Sequence, residues 1–227
     1  DWAIESYKPI LEKRNYSIIV PEKFTVSADG VLLSVEDAKK SGDGKVEYTI
    51  NDAYLLPEIA ITSDDGKSVE HTLQGTKILP KIYDYALTLP STITVMVNGV
   101  VSEGAKTADG KYKHLVMQVE KPEIILSDLF GNTINYEGET IPLTYRLIEA
   151  PENYTVQLDG KKIPDGAISK GVPRKYDILE GLVENLPVQA RYEVAVLKTD
   201  AVVTVKDGEG KDVALQEGED EFDFTVG

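Results

Sequence analysis

PEKFTVSADG at Pro21–Gly30, PSTITVMVNG at Pro90–Gly99 and PENYTVQLDG at Pro151–Gly160 share one frame, Pro-x-x-x-Thr-Val-x-x-(Asp/Asn)-Gly. A tyrosine precedes each proline by five or six residues, at Tyr16, Tyr85 and Tyr145. Self-similarity at this spacing marks an array of small modules rather than one large domain. Within the frame, Thr-Val opens a short alternating run that ends at Asp-Gly or Asn-Gly. That dipeptide is the strongest short-range hairpin signal, because a type I′ turn needs positive φ at both central residues. Thr25–Ala28 is therefore expected to pair with Val31–Val35, and Thr94–Val97 with Val100–Glu103.

A second segment recurs behind the first. PEIAITSDDGKSV at Pro57–Val69, PEIILSDLFGNTI at Pro122–Ile134 and AVVTVKDGEGKDV at Ala201–Val213 each hold glycine nine residues after their first residue. Tyr48 and Tyr192 lie nine residues before that first position, and Tyr112 stands one residue out of register. Each segment reads as a further hairpin. Between the two halves, VEDAKKSGDGK implies one helical turn and a loop, which shrinks to SEGAKTADGK in the second copy. The third copy carries the longest insertion. There Tyr176, Leu179, Leu182, Val183 and Leu186 recur at helical spacing between Pro173 and Pro187, so Lys175–Asn185 reads as an amphipathic helix.

The expected architecture is mainly β: three tandem small β-sandwich or Ig-like modules of short strands. Residues 1–15 form an N-terminal segment, with a short helical stretch broken by Pro9. Module 1 spans 16–81, module 2 spans 82–141, and module 3 spans 142–227 with its helical insertion at about 174–186. Phe224-Thr-Val stands fourteen residues after Gly210, as Tyr145 stands fourteen after Gly131. Either that strand closes the preceding module or the chain continues into another domain.

Composition excludes several functions. A formal net charge of −15 repels phosphate backbones, which speaks against nucleic-acid binding. The absence of cysteine removes disulfides, thiolate catalysis and Cys-ligated zinc. No run approaches the roughly 18 apolar residues that span a bilayer. No signal peptide opens the chain at Asp1-Trp2, which reads as the start of a mature or truncated fragment.

The pattern Tyr-x-Ile-x-Val-Pro, Thr-Val-x-x-Asn-Gly, then Pro-x-Ile-x-Ile-x-Asp-x-x-Gly resembles the tandem extracellular β-modules of Gram-positive, clostridial-type membrane-anchored surface proteins. Trp2, Tyr7 and Pro9 resemble the juxtamembrane segment of such proteins. The resemblance covers all three copies. It implies a cell-surface location behind a membrane anchor that lies outside this chain, and it carries no catalytic or ligand residues with it.

The residues offer little catalytic chemistry. His71 and His114 fall in different copies and in no metal-spaced motif. No GxSxG elbow exists. Gly66-Lys67-Ser68 ends like a Walker A loop, but Ile61 stands where that loop needs its first glycine. Among 39 acidic residues nothing singles out one carboxylate pair for glycoside hydrolysis. Calcium candidates are the Asp64-Asp65 turn, the Asp207–Gly210 turn and the run Gly218–Asp223, none of which matches an EF-hand loop; a solvated acidic surface is the simpler reading. Neither a catalytic residue, a metal nor a cofactor is assigned. Tyr16, Tyr85 and Tyr145, and Tyr48 and Tyr192, occupy repeat-equivalent positions among the twelve tyrosines and belong to packing. Tyr54, Tyr83, Tyr136 and Tyr176 fall outside that register and are the candidate ligand-binding rings.

These readings point to a non-enzymatic, monomeric array that acts as a spacer, presentation or adhesion element for an unknown surface ligand or protein. One alternative is a glycan- or peptide-binding module with its site near the insertion in module 3. Another is the accessory region of a cell-wall enzyme.

Overall fold

The computed structural model describes residues 12–172, 188–217 and 224–225. Among these the chain is mainly β, with its strands in six separate sheets. The helical elements there are two 3-10 turns, Val35–Asp37 and Asp165–Ala167. No helix among the described residues is long and apolar enough to cross a membrane. By compactness the chain divides into two units: Asp1–Ala86 with Leu115–Pro122, and Leu87–His114 with Glu123–Gly227.

In the first unit, Arg14–Pro21 is the central strand of a five-stranded sheet. It pairs antiparallel with Lys45–Ala53, placing Ile18 opposite Tyr48, and parallel with Lys77–Pro80, placing Ile18 opposite Ile78. A second sheet sets Thr25–Ala28 between Val31–Leu32 and Ile59–Thr62, with Ser68–Val69 outside. Side chains alternate across a strand, so Tyr16, Ile18 and Val20 share one face. They form a single buried core with Val46, Tyr48 and Ile78 of their own sheet and with Phe24, Val26, Ile61 and Val69. Burying a side chain the size of Ile18 contributes roughly 1.5–3 kcal/mol.

The second unit contains the same pairing around Thr144–Pro151. This strand lies antiparallel to Gln189–Val196, with Ile148 opposite Tyr192, and parallel to Phe224–Thr225. The facing sheet runs Lys161–Lys162, Thr155–Leu158, Val203–Lys206, Asp212–Val213. Ile148, Ala150, Tyr192 and Val194 meet Val156, Leu158 and Val205 in one core. A four-stranded sheet of Val100–Val101, Thr94–Val97, Ile124–Ser127 and Thr133–Asn135 also belongs to this unit. The remaining sheet, Tyr83–Leu89, Tyr112–Gln118 and Ala105–Lys106, has three strands.

The recurrent residues make recurrent bonds. Val26, Val95 and Val156 sit opposite Ile61, Leu126 and Val205. The frame prolines accept from the residue three further on: Phe24 N, Ile93 N and Tyr154 N donate to Pro21, Pro90 and Pro151 carbonyls. At each Asx-Gly turn both residues have positive φ: Asp29 and Gly30, Asn98 and Gly99, Asp159 and Gly160. This is the type I′ geometry. The Asx side chain does a second job. Its Oδ1 accepts from the amide of Glu58, Glu123 or Val202, and its own amide donates to the same residue's carbonyl. That double bond ties each frame to its second segment, which explains why the two travel together in sequence.

The second hairpins close by one turn, seen at Ser63–Lys67, Asp128–Asn132 and Asp207–Lys211, and again at Thr107–Lys111. In each the first residue's amide donates to the fifth residue's carbonyl, and the fourth-position glycine donates back to the first carbonyl. Those glycines hold φ near +80°, the bulge conformation that follows a type I turn. Gly66-Lys67-Ser68 is therefore a hairpin end.

Several expectations are refined. The return strands are Val31–Leu32 and Val100–Val101, two residues each. Leu33 N still donates to Val26 O, but Ser34 then accepts from Glu36 N and turns the chain into a 3-10 turn. The polar excursion does contain one helical turn, followed by the strand Lys39–Gly42. Phe224-Thr225 pairs back onto the strand that opens its own copy. The helix expected at 175–185, within the insertion at 174–186, and the stretch 1–11 lie outside the described residues.

Candidate functional site

The middle copy differs from the others in how its sheets are bridged. After the first hairpin, the first copy makes the 3-10 turn Val35–Asp37 and packs Ala38 against the core. The third makes Asp165–Ala167 and buries Ile163 and Ala167. The middle copy repeats the initial bond, Ser102 N to Val95 O. It then crosses through Glu103-Gly104 to the strand Ala105–Lys106 without a 3-10 turn. A groove of about 410 Å³ results in the second unit, bounded by Val95, Val101, Ser102, Tyr112 and His114.

His114 is 5% exposed, with Nδ1 3.2 Å from Ser102 Oγ. Gly104 lies flat against the ring: a Cβ there would stand 2.8 Å from Nε2 and 3.0 Å from Tyr112 Cβ. Burial holds the imidazole below its ordinary 6.5, partly offset by a hydrogen bond at Ser102. A hydroxyl beside a neutral imidazole is the first half of a nucleophile–base pair. On its Nε2 side the ring is packed against Gly104.

The candidate rings are spread out. Tyr54 is 55% exposed, with the Lys13 ammonium 5.5 Å from its ring centroid, a cation–π contact. Tyr83 is 39% exposed and stacks on Tyr85, centroids 6.5 Å apart and planes at 22°. Tyr136 is half-buried and extends the strand pairing through its amide, which donates to Ile124 O. Tyr54 and Tyr83 belong to the first unit and Tyr136 to the second. Tyr176 lies outside the described residues.

The acidic turns are engaged internally. Asp64 pairs with Lys23 at 2.9 Å. Asp65 accepts from Ser63 Oγ and pairs with Lys67 at 3.1 Å; chiefly the Ser63 bond lowers its pKa. Asp207 Oδ1 accepts from the amides of Glu209 and Lys211, each at 2.9 Å. Among the described residues no group of three or more His, Asp or Glu is placed to hold a metal ion. Gly218–Asp223 lies outside them. His71 is half-buried on the strand His71–Gln74 of the first unit, apart from His114 in sequence and in unit.

One connection escaped the sequence reading. Asp128 is 7% exposed, and its Oδ1 accepts from the amides of Phe130 and Asn132 at 2.9 Å. Its Oδ2 takes the Asn132 side-chain amide at 2.8 Å and, 69 residues away, the Leu197 amide at 3.0 Å. Phe130 packs against the core that contains Tyr192 and Val205. The signal was available: the same turn reads Asp-Asp-Gly and Gly-Glu-Gly in the other copies, and Leu-Phe-Gly here. Apolar residues at a hairpin tip imply something to cover them.

No protein-family model, no curated protein and no solved structure matches this chain.

Proposed function

We propose that the chain is a non-enzymatic array of three small Ig-like β-sandwich modules, 16–81, 82–141 and 142–227, that spaces or presents a partner on a Gram-positive cell surface. The observation that carries this reading is the threefold recurrence of one bonding scheme. Frame proline, type I′ turn and the double bond from Asx to the second segment are made at Pro21–Glu58, Pro90–Glu123 and Pro151–Val202. Repetition of a fold without repetition of a polar cluster is what a spacer requires, since the recurring residues serve folding. The Asp128–Leu197 bond and the packing of Phe130 further favour neighbours that move together.

The test displays the chain from its N-terminal end on a Gram-positive cell, with an epitope fused after Gly227. A bulky antibody should reach the epitope on the full chain and lose access when 16–141 is excised. Equal access in both cases overturns the spacer. A second arm offers the full chain to glycan and peptide arrays. Saturable binding that disappears when 173–187 is deleted would favour the receptor reading instead.

A further inference from the structure

Each copy has a short connector directly ahead of its second segment: Ala53–Leu56, Gln118–Lys121 and Leu197–Asp200. In two of the three, the connector meets the closing turn of the copy before it. Within the first unit, Val119 packs against the core that holds Ile61 and Val69, and the Glu120 carboxylate pairs with Lys67 at 2.9 Å. Lys67 is the last residue of the turn Ser63–Lys67. Within the second unit, Leu197 is buried and its amide donates to Asp128, the first residue of the turn Asp128–Asn132. A connector seated on a closing turn is therefore the junction that this repeat builds, made twice with different residues.

The first copy has the connector without the turn. Tyr54, Leu55 and Leu56 are all exposed, Leu55 by 76%, and they form the longest exposed apolar run among the described residues. Three consecutive exposed apolar residues are unfavourable unless something covers them. Val119, which holds the position of Tyr54, is covered. The third copy has the turn without the connector. Among the described residues, Asp207–Lys211 bonds within itself: Asp207 Oδ1 takes the amides of Glu209 and Lys211, and the exposed Lys211 ammonium pairs with the exposed Glu209 at 2.9 Å.

The charges on these two surfaces match. Lys13 and Asp52 flank the connector, exposed and paired only loosely at 3.7 Å. Lys211 holds the position of Lys67, whose ammonium already reaches an acid beside a connector. Exchanging partners sets Glu209 on Lys13 and Lys211 on Asp52. Exposed ion pairs contribute little each, so burial of Tyr54, Leu55 and Leu56 supplies the attraction and the charges set the orientation.

We propose that Tyr54–Leu56 is a docking surface for a second copy of this chain, which seats its turn Asp207–Lys211 there. The two partners use different surfaces, so the contact adds chains one after another instead of closing at a dimer. Its small area places it in the weak, transient class. Such association replaces the monomer expected from the sequence. It stands on the two internal junctions and is independent of the spacer reading, whose test on cells succeeds or fails separately.

Sedimentation equilibrium of the full chain, between about 10 μM and about 1 mM, is the test. Salt at about 0.15 M confines the repulsion between chains of net charge −15 to about 8 Å. The average mass is expected to rise with concentration without levelling at two chains. Leu55→Asp, at an exposed position, should weaken association roughly tenfold or more, because a carboxylate enters the apolar contact. Glu209→Lys with Lys211→Glu keeps the turn's own ion pair but turns like charges toward Lys13 and Asp52, and should weaken association similarly. Mixed in equal amounts, the two variants should reach the mass of two chains and stop there, since each supplies the half that the other lacks. A mass that stays at one chain for the unaltered protein overturns the proposal. Undiminished association in either variant overturns it too, as does a mixture that stays at one chain.

Discussion

Asp128 and Leu197 are joined through a carboxylate oxygen and a backbone amide 3.0 Å apart, across 69 residues of chain. The other carboxylate oxygen caps the turn in which Asp128 sits. One buried side chain thus holds a local hairpin and a distant strand end at once. Removing it strands several donors, and an unsatisfied buried donor is costlier than a lost exposed bond. Asp128→Ala should therefore lower stability by about 3 kcal/mol in urea unfolding. The repeat-equivalent Asp207→Ala, which frees only two turn amides, should lose less than half as much. Equal losses would show that the Leu197 bond contributes nothing.

Tyr48 and Tyr192 hold the same place in their sheets, opposite Ile18 and Ile148. Their hydroxyls differ. The Tyr192 hydroxyl donates to Tyr154 O at 3.4 Å, whereas the Tyr48 hydroxyl is buried without a partner. Burial raises the pKa of both. Tyr48→Phe should raise the unfolding free energy by about 1 kcal/mol, because it removes an unpaired polar atom. Tyr192→Phe should be neutral or lower it slightly. Thermal unfolding of the two variants side by side checks the sign of each.

His114 gives the chain a defined response to acid. Its folded pKa lies below the unfolded value, since burial disfavours the charged ring. As pH falls below about 6.5, the unfolded chain takes up a proton that the folded chain refuses, so stability falls. The loss starts near the unfolded pKa and ends once pH is below the folded one. Urea midpoints compared between about pH 7.5 and about pH 5.5 should drop further for the unaltered chain than for His114→Gln. Parallel slopes would refute the assignment.

Gly104 is small because a ring lies against it. Adding a methyl puts Cβ 2.8 Å from His114 Nε2 and 3.0 Å from Tyr112 Cβ. Gly104→Ala should cost roughly 1–3 kcal/mol through overpacking. Combined with His114→Ala, the cost of Gly104→Ala should shrink, a coupling that a double-mutant cycle reads directly. Additive losses would mean that the ring is not the obstacle.

Local chemistry was legible in the sequence wherever a turn demanded a particular residue. Asp29-Gly30, Asn98-Gly99 and Asp159-Gly160 announced their hairpins because few other pairs tolerate two positive φ angles. The second-hairpin glycines did the same. What the sequence withheld was every relation that depends on distant backbone. Asp128 looks like Ser63 or Asp207 until the Leu197 amide is placed beside it. The shortened excursion Ser102–Lys106 was visible as a shortening, but not as a groove, because closing it depends on whether Ala38 or Ala167 has a counterpart. Tyr83 qualified as a ligand ring on register alone, and its stacking on Tyr85 could only be seen in three dimensions.

The two-residue return strands have a consequence for behaviour at high concentration. Val31–Leu32 and Val100–Val101 are strongly exposed and sit at sheet margins, where unpaired amides invite a neighbouring molecule to add a strand. Their brevity offers a newcomer too few rungs to hold, and at the corresponding margin of the third copy Lys161–Lys162 adds charge repulsion. Lengthening either valine-bearing margin by a few β-branched residues would be expected to turn a well-behaved solution into one that seeds cross-β fibres.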